Sequence, residues 1–342
     1  MNFRSALVSV ALTTTLAICA AFVSVRTLRF ESLNSPRVPT LPDQHLKVKG
    51  SVSYDEAVDP KRTYRWTGAW MPMRVSAGDG ITALDTKIGR FIHFPEKHAY
   101  LNAIRKINGK FPGSAPCATW TVGDLSRAIP VGTNLTDAQH EEYLSLMDEH
   151  DIQVYLEIFP FAADAKKNLP AVNAAAEIDK WLNKLKHHKS IAGVGIELEY
   201  FGKATDSLAA VWNNIVKRHN PKYRMFLRHY SKDFMPATYR GAGDLIFICD
   251  ASESTIPELN NAFASWANHF TPTACAFQIG YPADEDSMTG SKEFGWWRLK
   301  DPVREWGEGI LPLIKDEKQE IGLIWVTAKS GKSYNEGWDL TK

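Results

Sequence analysis

Two glutamates end a run that is otherwise apolar or glycine: residues 191–201 read IAGVGIELEYF. Side chains alternate along a β-strand, so Gly193, Gly195, Glu197 and Glu199 share one face, and Val194, Ile196 and Leu198 share the other. Buried carboxylates are costly unless paired or put to use. Two of them at i, i+2 oppose each other's ionisation, which predicts that one keeps a proton near neutral pH and serves as a general acid. Glu199, nearer the strand end, is the acid candidate. Glu197, deeper, is expected to orient it and raise its pKa, with Gly193 and Gly195 leaving room beneath.

The elements that would position these acids recur along the chain. Apolar strand-like runs fall at 64–71, 117–122, 152–159, 191–200, 224–230, 244–251, 273–281 and 320–327. Helical periodicity lies between them. Ile178, Trp181, Leu182 and Leu185 follow the i, i+3, i+4, i+7 rule, as do Leu208, Val211, Trp212 and Ile215. Thr136 and Gln139 form a capping box, and further helices are expected near 256–269 and 302–315. Eight strand–helix repeats predict a single (β/α)8 TIM barrel, with an open doubly wound sheet as the alternative.

The active site of such a barrel lies at the C-terminal ends of its strands. Residues expected there are Glu157, Glu197 and Glu199 as catalytic candidates, with Arg228, Tyr230, Asp250, Gln278, Tyr281, Trp120 and Trp325 as substrate contacts. Acids, an arginine and aromatic rings at one mouth suit carbohydrate chemistry. Glycoside cleavage needs a protonated carboxyl for the leaving oxygen and a second group at the oxocarbenium-like centre. A structural ion network around Arg228 is the alternative for the same acids. Trp296-Trp297 reads either as a sugar platform or as a loop anchor.

The stretch Ala192-Gly193-Val194-Gly195-Ile196-Glu197-Leu198-Glu199-Tyr200 resembles the fourth-strand motif D-G-x-D-x-D-x-E-Y of family 18 chitinases, and is similar in logic to the D-x-E of family 25 lysozymes. The resemblance implies a TIM-barrel glycoside hydrolase, with Glu199 at the place of the catalytic acid and Tyr200 at that of the following tyrosine. Ala192, Gly195 and Glu197 stand where the chitinases carry aspartates, and Phe201 where they carry proline. Orientation of a substrate N-acetyl group would therefore fall to Glu197, which is one methylene longer.

Composition narrows the field. The chain has 342 residues, 44% hydrophobic and 23% charged, with 11 tryptophans and a formal net charge of +1. The near-neutral balance and the lack of a long basic run argue against nucleic acid as a partner. The 21 uncharged residues from Ser5 to Val25 read as an export signal or a membrane anchor within residues 1–30. Residues 31–60 read as a linker and 61–342 as the barrel. Location outside the cytoplasm follows, secreted or periplasmic, with anchoring left open. Cys117, Cys249 and Cys275 are expected to be free buried thiols, a Cys249–Cys275 bridge being the alternative. Asn134-Leu135-Thr136 is a glycosylation sequon. Metal-ligand spacing, a complete phosphate loop and a nucleophile elbow are lacking, so no metal or other cofactor is expected. The expected activity is hydrolysis of a glucosamine-containing cell-wall glycan, peptidoglycan or chitin. An inert glycan-binding barrel and a hydrolase of another polysaccharide are the alternatives.

Overall fold

The computed structural model describes residues 62–76, 90–123, 135–166, 168–281, 295–329 and 338–342. The expected signal or anchor, the linker, Asn134 of the sequon and the side chain of Trp297 lie outside the described residues. No described helix is long and apolar enough to cross a membrane.

The sheet runs in the order β2-β1-β3-β4-β5-β6-β7-β8-β9 and closes through β1–β9. Eight strands are parallel: β1 (Trp66–Ser76), β3 (Ala115–Val122), β4 (Gln153–Ile158), β5 (Ile191–Glu197), β6 (Arg224–Arg228), β7 (Leu245–Cys249), β8 (Ala274–Ile279) and β9 (Ile321–Lys329). Each coincides with one of the eight apolar runs, and closure excludes the open sheet. The unforeseen element is β2 (Arg90–His93), which pairs antiparallel with the end of β1. Past Met71, where its pairing with β3 ends, β1 runs on beside β9 and its other edge takes β2.

Helices α1 (Lys97–Gly109), α2 (Asp137–Glu149), α3 (Ala174–Leu185), α4 (Asp206–His219), α5 (Ile256–Phe270) and α6 (Pro302–Ile310) form the outer layer. The Thr136–Gln139 capping box opens α2, a second one, Thr255 with Glu258, opens α5, and Pro302 sits in the first turn of α6. On α4 the buried face is Ala209, Trp212, Asn213 and Val216, while Val211 is 50% exposed. Of the predicted stripe, Trp212 is buried there and Leu208 and Ile215 pack partly buried against the same core, so only Val211 departs. The connection from β6 to β7 contains short 3-10 turns at Lys232–Phe234 and Gly241–Gly243 in place of an α-helix.

Strand alternation divides the core in two. Val154, Leu156, Ile158, Val194, Ile196 and Leu198 face the helices, whereas Tyr155, Phe226, Ile246, Ile248, Ala276 and Ile324 fill the barrel interior. Gly193 and Gly195 do not leave space there. A Cβ on Gly195 would run into the Phe226 ring, and one on Gly193 into the backbone carbonyl of Arg224. The neighbouring strand has filled the room that the glycines provide. Gly195→Ala is therefore expected to destabilise the fold by about 1–3 kcal/mol through overpacking. Urea unfolding would measure this, with Phe226→Leu restoring part of the loss in the double variant. An additive double-variant cycle would sink the explanation. The three cysteines are free and buried, and burial pushes their thiols up.

Candidate active site

Arg228, at the C-terminal end of β6, is the centre of the mouth. Its Nε donates to Glu157 Oε1 at 2.8 Å and its Nη1 to Asp250 Oδ2 at 2.7 Å, while Nη2 pairs with Glu197 Oε2. The three acids come from the ends of β4, β7 and β5, so one guanidinium ties together the rims of four strands. Every partner is buried. Burial opposes the charge on Arg228, but the three carboxylates outweigh it and hold its pKa well above the ordinary value. The pocket thus has a fixed cation and more acids than that cation can neutralise.

Glu157 is fully engaged. Arg228 takes one oxygen, and the other accepts from the Trp70 indole at 2.7 Å and the Thr121 hydroxyl at 2.9 Å. Buried, with both oxygens hydrogen-bonded, Glu157 anchors the arginine, and these three bonds compete with the catalytic role expected of it. Glu197 is also buried. Its Oε1 accepts the backbone N–H of Glu199 at 2.6 Å, and burial lifts its carboxyl well above the usual range, Arg228 opposing and Asp250 and Glu157 adding.

Glu199 lies beyond the end of β5. The strand stops at Glu197, and Leu198 carries the chain into a turn in which the N–H groups of Phe201 and Gly202 bond back to the Leu198 carbonyl. The turn places Glu199 at the exposed rim. It still leaves a carboxylate oxygen from each of Glu197, Glu199 and Asp250 within 4.8 Å of the others. Burial first, and then Asp250, raise the Glu199 pKa, with Arg228 and Arg74 opposing. The electrostatic lift comes from Asp250 across the barrel, with a smaller one from Glu253, and not from the i, i+2 neighbour.

The rest of the mouth is polar and aromatic. Gln278 donates to the Tyr281 hydroxyl at 2.6 Å, and the Trp296 indole donates to the Tyr281 carbonyl at 3.0 Å. Asp250 Oδ1 and Gln278 Oε1 are buried acceptors with no hydrogen-bond partner among the described residues, so each has capacity for a donor such as a sugar hydroxyl. Arg74 lies 5.5 Å from the Trp70 ring and 5.6 Å from that of Tyr281. Tyr200 stands 40% exposed beside Phe159 and Phe161, an aromatic face that a sugar ring could meet. Trp70 follows from the inward alternation of Trp66, Gly68 and Trp70, whereas nothing in local spacing singles out Arg74.

Two expected sugar contacts belong elsewhere. Trp325 faces the helix layer among Trp296, Trp306 and Trp338, with its N–H on the Thr327 carbonyl at 2.7 Å. Trp120 likewise faces outward, donating to His140 Nδ1 at 2.9 Å and packing on Tyr100 and Tyr143. Both are on the helix-facing parity of their strands and are structural. Trp296 is completely buried and anchors its loop. Tyr230 is 55% exposed, its ring against His229 and not among the carboxylates. A depression of about 550 Å³ lined by Arg65, Gln153, Arg224 and Glu320 opens at the N-terminal strand ends, away from these acids.

Fold and site together define a closed (β/α)8 barrel whose mouth gathers three acids around Arg228, with Glu199 and Arg74 beside them. No family model and no curated protein matches the chain. Among solved structures it is similar to the GH20 β-N-acetylhexosaminidase of Streptomyces coelicolor A3(2), at 12% identity and a TM-score of 0.41, over 79% of this chain and 61% of that one. It is also similar to the catalytic domain of a mannanase from Streptomyces sp. SirexAA-E, at 11% identity and a TM-score of 0.41, over 85% of this chain and 92% of that one. An exo-β-1,4-mannosidase from Opitutaceae bacterium strain TAV5 shows 11% identity and a TM-score of 0.44, over 78% of this chain and 52% of that one. The chain thus spans about three fifths of the hexosaminidase and about half of the mannosidase. At these identities and scores the likeness concerns fold alone.

Proposed function

We propose that this chain is an exported glycoside hydrolase acting on a glucosamine-containing glycan, peptidoglycan or chitin. One observation carries the glycosidase reading: Glu197, Glu199 and Asp250 bring carboxylate oxygens within 4.8 Å of one another at the C-terminal strand ends, and the solvent-facing member has a raised pKa. Glu199 is the general acid that protonates the glycosidic oxygen. A carboxyl separation of about 5–5.5 Å would give retention, and one of about 6.5–9.5 Å would seat the water of an inverting reaction. Asp250 is the partner assigned to face the anomeric carbon. Glu197 positions the substrate, and Gln278 and Tyr281 hold the sugar. The glucosamine class rests on the likeness of Gly193, Glu199 and Tyr200 to the chitinase motif, and export rests on the apolar segment at residues 5–25.

The test is sugar release by the purified chain from peptidoglycan and chitin, each N-acetylated and deacetylated. Release from either acetylated polymer supports the reading. Release from deacetylated polymer as well would assign the second catalytic step to a carboxylate and not to the N-acetyl group. Release from another polysaccharide alone would refute the glucosamine class and leave the acid in place.

A second reading has its own support. Arg228 pairs with Glu157, Glu197 and Asp250, which is also what a structural ion network in an inert glycan-binding barrel would look like. Glycan binding by wild type that survives Glu199→Gln, with no turnover of any polymer, would establish it.

A further inference from the structure

A second cluster of ligating side chains lies far from the mouth, on the helix layer. Glu141 and Asp148 are two turns apart on one side of α2, and His187 and His188 follow α3 in the turn before β5. His188 is buried and held at both nitrogens: Nδ1 is 2.7 Å from Asp148 Oδ2, and Nε2 is 3.1 Å from Glu141 Oε2. His187 Nε2 is 2.9 Å from the same Glu141 oxygen. The other oxygen of Asp148 accepts the Ser190 N–H at 2.7 Å, which fixes that carboxylate in place.

A neutral imidazole donates from one nitrogen and accepts at the other. With the Nδ1 proton shared with Asp148, a neutral His188 would present its Nε2 lone pair to Glu141 Oε2. Either a second proton or a metal ion has to lie between them. The partners favour the metal. A carboxylate on the far nitrogen of a histidine sets its tautomer and raises its basicity as a ligand, the usual support behind a metal-bound imidazole. One ligating atom from each of Glu141, His187 and His188 lies within 4.8 Å of the others. Bonds of about 2.0–2.1 Å in a tetrahedral site put ligand atoms about 3.3 Å apart, so the observed 2.9 and 3.1 Å would open by a few tenths of an ångström on binding. Two imidazoles and one carboxylate select zinc and its late first-row neighbours over magnesium or calcium, which prefer all-oxygen shells.

We infer that Glu141, His187 and His188 form a transition-metal site of the zinc type, with Asp148 orienting His188 and the fourth position open to solvent. The ion would join α2 to the α3–β5 turn and so brace the strand whose end carries Glu197. It takes no part in chemistry at the mouth, and the inference stands whether or not the glycosidase reading holds.

The test uses the full chain without a histidine tag, stripped with chelator, then titrated with Zn²⁺ by calorimetry and with Co²⁺ as a spectroscopic probe. One saturating equivalent is expected, with the visible bands of tetrahedral Co²⁺ and a Tm that rises on adding Zn²⁺. His187→Ala removes an exposed side chain and is expected to fold normally, with affinity reduced at least about tenfold and the Tm response gone. Asp148→Asn should weaken binding about 10–100-fold, the usual effect of losing such a supporting carboxylate. Failure to saturate, or stability that responds to pH but not to Zn²⁺, would mean that a proton fills the gap and would overturn the inference. So would one equivalent that His187→Ala and Glu141→Gln leave unchanged. If Glu199→Gln then removed it, the ion would belong to the mouth.

Discussion

Arg228→Leu is expected to lower stability at pH 7 by about 3–5 kcal/mol, the range for breaking a buried ion pair by removing one partner. The loss comes less from forfeited attraction than from what remains. Glu157, Glu197 and Asp250 would be left converging, buried, on an apolar side chain, and the Trp70 and Thr121 hydrogen bonds compensate Glu157 alone. The variant is expected to keep protons on Glu197 and Asp250, whose folded pKa values burial already raises above the unfolded ones at about 4. Stability from such neutral carboxyls is fully present below the unfolded pKa and is lost as pH rises toward the folded pKa. The difference between wild type and Arg228→Leu should therefore be small near pH 4 and widen toward neutrality. Arg228→Lys should recover only part, because one ammonium cannot point three donors at carboxylates on three strands. Urea unfolding at both pH values measures this, and a deficit below about 1 kcal/mol at pH 7 would refute the central role assigned to the arginine.

The barrel was legible in the sequence because a closed parallel sheet writes itself as regularly spaced apolar runs, and each strand of the barrel coincides with one of them. Inward and outward parity was legible only where the interior is chemically unlike the helix-facing side. In β5 the interior parity is glycine and glutamate against valine, isoleucine and leucine, so Glu197 is assigned correctly from alternation. In β9 both parities are apolar: Ile324 and Val326 point inward while Leu323 and Trp325 point outward. A strand buried on both faces gives no signal for choosing between them. Trp120 in β3 fails for a related reason, because the interior parity there, Cys117, Thr119 and Thr121, is the more polar one, and a large ring looks like the natural interior residue.

The site was legible in part for the same reason. Strand ends locate Glu157, Glu197, Arg228, Asp250 and Gln278 once the barrel is granted, but spacing along one strand does not say which charges meet across the barrel. Arg228 pairs with acids 71, 31 and 22 positions away in the chain, and these pairings decide which acids remain available. Glu157 is consumed by them, and Glu199 is spared because the chain turns just beyond Glu197. Arg74 reaches the mouth only because β1 overshoots the rim, a property of the hairpin with β2 that the local pattern does not show.

Glu199→Gln is expected to slow hydrolysis of a polymeric glycan by about 10²–10⁴-fold, the usual contribution of a positioned general acid, with little change in KM. Two features separate loss of a proton donor from a general disturbance of the mouth. First, a glycoside with a strongly acidic phenol as leaving group needs no protonation, so the variant should cleave it at a rate much nearer that of wild type. Secondly, pH dependence should change in shape. Because burial and Asp250 raise the Glu199 pKa, the wild-type rate should hold above the ordinary carboxylate range and fall as pH rises through that pKa. Glu199→Gln should lack this basic limb. Asp250 lifts the pKa from across the barrel, so Asp250→Asn should move the limb to lower pH as well as slowing the reaction. Glu197→Gln should leave the limb nearly in place, since the charges that act on Glu199 are those of Asp250, Arg228, Arg74 and Glu253. A basic limb that persists in Glu199→Gln, or moves with Glu197 and not with Asp250, would transfer the acid role to another residue of the mouth.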